Sequence, residues 1–231
     1  MNESVLMPQH RTMPTLQGSV GRALVEAGCV RFRGDEPFRL PSGWASPVYI
    51  DCRRLISYPA LRRALVQRGV QLLRERGRLD GIDVVAGAES GGIAYAAWVA
   101  ELLDVPMVYV RKEARGIGPS AQIVGEIRTG ERVLLVDDMM AAGRSKAVFC
   151  AALSEAGAVV RDLLVLFDYG TFPTQAVLSR WQPAVHALAT WREVLDALSG
   201  CGDVADTDLA GLQAFLADPP GWSGRHGGIA A

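Results

Sequence analysis

Apolar residues recur at helical spacing over residues 16–27, and Gly28 follows as a stop. Residues 34–46, with Pro37, Pro41 and Gly43, read as turns, and Val48–Ile50 as a short strand. Residues 58–76 form an amphipathic helix closed by Gly77. A regular alternation follows, with strands predicted over 82–86, 107–110, 133–136 and 159–167. Helices are predicted over 94–103 and 145–156, and an exposed loop over 113–120. After Tyr169 the pattern loosens, with a helix at 172–181, a strand at 184–189 and a helix at 192–198. A last helix spans 206–216 with Asp206 as its N-cap. The chain is expected to be loose over residues 1–15, which are patternless, and over 218–231, which are rich in Pro and Gly.

Strands as apolar as 133–136 must be buried on both faces. Their alternation with helices predicts an α/β fold, a mostly parallel central sheet flanked by helices.

Composition narrows the function. The 231 residues carry a net charge of -1, too little basic surface for a nucleic-acid partner. Arg53, Arg54, Arg62, Arg63, Arg74, Arg76 and Arg78 cluster, and read as a solvated helix face. Cys29, Cys52, Cys150 and Cys201 lack metal-ligand spacing and read as reduced core thiols of a cytoplasmic protein. His10, His186 and His226 are too scattered to suggest a histidine metal site. The most apolar stretch, 92–110, is interrupted by Glu101, Asp104 and Pro106 and does not read as a membrane span.

The chemistry concentrates in RVLLVDDMMAAGRSK at 132–146. A buried strand runs into two acids, then into a short loop and a helix start. Ligands of open α/β sheets bind beyond the carboxyl ends of the strands. There Asp137 and Asp138 can accept hydrogen bonds from vicinal ribose hydroxyls and engage a metal through water. Ala141, Ala142, Gly143, Arg144 and Ser145 can wrap backbone N–H groups around a phosphate at the helix N-terminus. Both acids are expected at a solvent-facing strand end.

This segment resembles the phosphoribosyl pyrophosphate (PRPP) motif of type I phosphoribosyltransferases. Three more motifs, in the same order, resemble the orotate phosphoribosyltransferases among them. FRLPSGWASPVYID at 38–51 is similar to that family's N-terminal hood, VAGAESGGI at 85–93 to its pyrophosphate loop, and YVRKEARGIG at 109–118 to its flexible catalytic loop. The resemblance implies a type I phosphoribosyltransferase fold. Residues 16–60 form the N-terminal helix and hood, and 61–217 the PRPP-binding core with a C-terminal extension. It implies a pentosyl transfer from PRPP to orotate in pyrimidine biosynthesis, with Mg2+, in a cytoplasmic homodimer that shares the flexible loop. Ala88, Glu89, Ser90 and Gly91 would meet the pyrophosphate, and Arg111, Lys112 and Arg115 would neutralise it as it leaves. Asp137 and Asp138 would hold the ribose and, through water, the metal. Ser42, Tyr49, Arg39, Arg144 and Tyr169 would face the base, with Arg39 and Arg144 the candidates for its carboxylate.

The chain also departs from the family pattern. Arg115 stands where a loop lysine is usual and Ile117 where a histidine is. Ala141 replaces a threonine, Arg144 a small residue, and Pro41 and Tyr169 replace base-side cations. Arginine keeps charge but does not readily give up a proton. These departures leave open transfer to another base, or PRPP binding without catalysis.

Overall fold

The computed structural model describes residues 4–5, 14–33, 36–40, 42–115, 121–199 and 204–230. The elements in chain order are β1 (Ser4–Val5), α1 (Val20–Glu26), β2 (Val30–Phe32), β3 (Phe38–Arg39), β4 (Ala45–Ser46), β5 (Val48–Ile50) and α2 (Pro59–Glu75). Next come β6 (Val84–Ala88), α3 (Gly91–Leu103), β7 (Met107–Val110), β8 (Ile123–Val124), β9 (Arg132–Met140), α4 (Arg144–Glu155) and β10 (Val159–Asp168). The chain continues through α5 (Thr174–Val177), β11 (Ala184–Ala189), α6 (Trp191–Ser199), α7 (Asp206–Ala217) and α8 (Pro219–Arg225). They divide into two compact units. One comprises residues 62–169 and 173–188, the other residues 1–61, 170–172 and 189–231.

The first unit has the expected α/β architecture. Its six-stranded sheet has the order β11-β10-β9-β6-β7-β8. The β10–β9, β9–β6 and β6–β7 pairs are parallel, while β8 runs antiparallel to β7 at one edge. Alternation along the strands divides the core. Val84, Ala86, Val133, Leu135, Leu163 and Val165 pack with Phe149, Cys150 and Leu153 of α4. The intervening positions face the other helices. Gly87 lies against Ile93 and Ala96 of α3, and Leu164 against Gly69 of α2. A side chain at Gly87 would meet the Ile93 backbone at 2.8 Å, so glycine there sets how closely α3 rides on the sheet.

The arginine cluster is only partly a solvated face. Arg76 Nη1 reaches His186 Nδ1 at 2.9 Å, and Arg78 Nε donates to Asp162 Oδ1 at 2.7 Å. His186 Nε2 meets the same Asp162 oxygen at 2.7 Å. Since Arg76 donates to Nδ1, the Nε2 proton must point at Asp162. Burial, with Arg76 and Arg78 opposing a third cation, holds His186 below the ordinary imidazole pKa despite the pull of Asp162.

The second unit holds two small sheets, β1-β2-β5 and β3-β4. Part of the expected N-terminal tail is ordered here, because Ser4 and Val5 pair antiparallel with Phe32 and Arg31. Helix α1 starts at Val20, later than the apolar spacing predicts. The Ser19 hydroxyl caps it by accepting Arg22 N–H at 3.2 Å, and Gly18 at φ 82° turns the preceding chain. The end of the chain also differs from its composition. Asp218 caps α8 by accepting Gly221 N–H at 3.0 Å, and Trp222 and Ser223 are buried. Pro219 and Pro220 stand at the helix start, where a missing N–H costs nothing. In α7, Asp206 is the first helical residue and Ala205 the cap. The helix expected at 172–181 shrinks to α5, with Pro173 at its N-cap.

Candidate active site

Strand β9 carries the acid pair within itself. It continues to Met140, which pairs with Asp168 of β10. Alternation therefore sends Asp137 and Asp138 to opposite faces. Asp137 turns toward α4 and is only 5% exposed, which corrects the expectation of a solvent-facing carboxylate. Lys146 of α4, equally buried, closes an ion pair on its Oδ2, while its Oδ1 accepts the Asp138 N–H at 2.9 Å. Asp138 turns toward the start of α3 and is half-buried. Burial first, and then the neighbouring Asp137 carboxylate, push Asp138 up to about 7, with Lys146 pulling the other way.

The expected pyrophosphate loop meets this pair directly. Ala88 ends β6, Glu89 and Ser90 follow across a cis peptide, and Gly91 and Gly92 open α3. A side chain at Gly91 would lie 2.5 Å from Asp138 Cγ, and one at Gly92 would lie 2.2 Å from the Val136 carbonyl oxygen. The glycine pair thus admits the acid-bearing strand itself, a role beyond the approach of a phosphate that the sequence suggests.

The cation-bearing loop rises from the edge of the same sheet. β7 and β8 form its antiparallel stem, Tyr109 opposite Val124 and Val110 opposite Ile123. Above the stem, Arg111 N–H donates to the Gln122 carbonyl at 2.8 Å and Arg115 N–H to the Ala121 carbonyl at 3.0 Å. The Gln122 amide donates back to the carbonyls of Arg111 at 3.0 Å and Lys112 at 3.3 Å. Lys112 N–H donates to Glu89 Oε2 at 2.7 Å, tying this loop to the pyrophosphate loop. Lys112 and Arg115 are exposed. Ile117 and the remaining expected loop residues, 116–120, lie outside the described residues.

Ala141, Ala142 and Gly143 join β9 to α4. Gly143 takes φ 76°, a conformation costly for residues with a Cβ, and lets Arg144 and Ser145 begin the helix. Arg144 is exposed at that first position. Tyr169 follows β10, its N–H donating to the Met140 carbonyl at 2.9 Å; it is 2% exposed with its ring edge-on to Phe167.

The other base-side candidates belong to the second unit. Gly43 at φ 92° closes a turn between β3 and β4, with its N–H on the Leu40 carbonyl at 2.8 Å. Tyr49 packs on Phe38 with ring centroids 5.7 Å apart, and Arg53 reaches its hydroxyl at 3.4 Å. Arg39 is exposed, its guanidinium over Gly227. The Ser42 hydroxyl oxygen is buried and has no hydrogen-bond partner among the described residues. The same holds for Thr171 Oγ1, in the turn whose Phe172 packs against Trp44, tilted, with ring centroids 4.9 Å apart. The end of the chain braces this region. Ala45 N–H donates to Ser223 Oγ at 2.9 Å and Ile229 N–H to the Gly43 carbonyl at 3.0 Å.

Lys146, Gln122 and Thr171 were not singled out by sequence pattern. A lysine inside an amphipathic helix carries no local sign of its partner. Among the described residues no cluster of three or more His, Cys, Asp or Glu side chains could hold a metal ion.

Comparison with known proteins fits this geometry. The family model of the phosphoribosyl transferase domain matches residues 64–171. The chain is 42% identical over 212 residues to an orotate phosphoribosyltransferase of Rhizobium rhizogenes (strain K84), covering 91% of each chain. It is 44% identical over 214 residues to that of Rhizobium meliloti (strain 1021), covering 92% of each. Among solved structures, orotate phosphoribosyltransferase from Aeropyrum pernix superposes with a TM-score of 0.62 at 34% identity, covering 78% of this chain and 98% of that one. UMP synthase of Leishmania donovani gives a TM-score of 0.72 at 30% identity over 86% of this chain, which spans 41% of the length of that one.

Proposed function

Because the chain belongs to the orotate phosphoribosyltransferases, glycosyltransferases of the type I phosphoribosyltransferase fold, we propose that it transfers the phosphoribosyl group of PRPP to orotate, releasing pyrophosphate and forming orotidine 5'-monophosphate. The observation that most supports this reading is the packing of the Gly91–Gly92 loop on the acid pair. It sets a glycine turn at the carboxyl end of β6 beside two carboxylates of the adjacent parallel β9, an arrangement suited to a sugar phosphate.

The residues take their roles from charge. As the bond from ribose C1 to pyrophosphate breaks and the bond to orotate N1 forms, the ring becomes cationic and the leaving group anionic. Catalysis is then chiefly electrostatic and positional. Asp137 and Asp138 accept the ribose hydroxyls and favour the cationic ring. The N–H groups from Ala141 to Ser145 hold the 5-phosphate, and those of Ala88 to Gly91 the pyrophosphate. Arg111, Lys112 and Arg115 neutralise the departing charge, Arg115 as a fixed cation. The family resemblance assigns the base to Ser42, Tyr49, Arg39, Arg144 and Tyr169, and the Ser42 hydroxyl, without a partner among the described residues, can offer a hydrogen bond.

The donor set suits Mg2+ that arrives with PRPP. Asp137 is engaged by Lys146 and Asp138 N–H, which leaves Asp138 as the freer hard oxygen donor. Mg2+ commonly keeps its waters and binds through one or two carboxylates plus substrate phosphates. Bound there, it would offset pyrophosphate charge. The family resemblance extends the proposal to a homodimer in the cytoplasm.

The test is the absorbance of orotate in the presence of purified protein, PRPP and Mg2+. Loss of orotate that depends on both supports the proposal. Absence of turnover, with another base consumed in its place, overturns the choice of base. PRPP binding with no base consumed overturns catalysis.

A further inference from the structure

Lys146 is the third residue of α4 and lies at the positive end of the helix dipole, a poor place for a cation. It is also 5% exposed, and a buried ammonium is costly unless every donor is used. Here they are used. Its Nζ donates to Asp137 Oδ2, to the Met139 carbonyl at 2.6 Å, and more weakly to Ser145 Oγ at 3.4 Å. One ammonium thus joins the first acid, the strand carbonyl just before the phosphate loop, and a hydroxyl in the first turn of the helix that ends it. Asp137 is held from its other side by the Asp138 N–H, so neither of its oxygens can swing away.

Stability alone is a weak reason for such an arrangement. Buried ion pairs are often no better than well-packed apolar residues of the same volume. An apolar side chain at 146 could fill the space, but it could neither aim the Asp137 carboxylate nor hold the Met139 carbonyl. We infer that Lys146 is a positioning residue for PRPP, which acts by aiming the Asp137 carboxylate. The inference rests on the proposed PRPP site.

The experiment uses the full chain and measures PRPP binding by calorimetry with Mg2+, alongside KM for PRPP and for orotate. Wild-type protein is measured first. If it neither binds PRPP nor consumes orotate, the reading of the site fails, independently of Lys146. With wild-type binding in hand, Lys146→Met, Asp137→Asn and the double variant form a cycle. Lys146→Met is expected to weaken PRPP binding by about tenfold or more, equivalent to the loss of roughly 1.4 kcal/mol, with KM for orotate within about twofold of wild type. The double variant should bind PRPP no more weakly than Asp137→Asn alone, because Lys146 has nothing left to aim. Wild-type affinity in Lys146→Met, or penalties that multiply in the double variant, overturns the inference. Should Lys146→Met fold poorly, comparing the charge-balanced double variant with Asp137→Asn decides the question: a further loss of affinity refutes the inference, and none upholds it.

Discussion

Around the acid pair of the α/β unit, polar groups are spent on one another. Lys146 holds Asp137, Asp138 N–H holds it again, Glu89 takes Lys112 N–H, and Gln122 ties both arms of the cationic loop. In the second unit the Ser42 and Thr171 hydroxyls are buried without a partner among the described residues. Order there comes from packing, a run of aromatic contacts from Trp44 through Phe172, Phe215 and Trp222 to His226. Under the proposed function, the difference matches the chemistry of the two substrates. A sugar phosphate whose charge is redistributed needs dipoles set before it arrives. A flat base needs a shaped apolar seat and a few polar groups left for it.

The largest test of the contrast is Asp137→Asn. It leaves the Lys146 ammonium buried without its counter-charge, so we expect about 3–5 kcal/mol lost from unfolding free energy in urea, together with activity. Thus a double Asn replacement of the acid pair is not a benign active-site knock-out. Asp138→Asn should separate the two effects, with kcat/KM lowered by about 10²–10³ and the urea midpoint nearly unchanged. Equal stability losses in the two variants would erase the distinction between the acids.

In the second unit, Gly228→Val would set a Cβ 2.4 Å from Ala45 N and from Ser223 Oγ. The expected cost is about 1–3 kcal/mol in thermal unfolding, with KM for orotate raised more than KM for PRPP. Ser42→Ala is subtler. Removing an unpaired buried hydroxyl should leave Tm unchanged or slightly higher, while KM for orotate rises by roughly fivefold. A drop in Tm would mean the hydroxyl has a partner within the fold.

The smallest effect is a control on the α/β unit away from the acids. His186 is held below its ordinary pKa, so between its folded and unfolded values the unfolded chain binds more protons. Its contribution to stability is present above about pH 6.5 and is lost as pH falls through that value. Urea unfolding from pH 8 to pH 5.5 should show this slope, and His186→Gln should flatten it.

Strands and acid motif were legible because a run such as Val133–Val136 has one physical explanation, burial on both faces, and because the four motifs stand in order along the chain. Pairings between distant residues were not. Nothing local in Arg76 or Arg78 reveals that they pair with His186 and Asp162, since an arginine at the end of an amphipathic helix reads as solvated. The C-terminal segment misled for a related reason. Pro219, Pro220 and Gly221 signal loose chain by composition, yet they suit the first turn of a helix whose Trp222 and Ser223 have partners about 180 residues upstream or on α7.

The buried thiols have a practical consequence. Cys29 and Cys150 are raised to about 12 by burial, and Cys52 is fully enclosed. At pH 8 the two raised thiols carry a thiolate fraction of roughly 10⁻⁴, too little for ready alkylation. A cysteine introduced at exposed Glu113, on the cationic loop, would therefore outpace these three toward a maleimide dye; Cys201 lies outside the described residues and would be replaced by serine first. A dye there reports in real time whether the loop moves when substrate is added, on a protein that keeps its three enclosed cysteines.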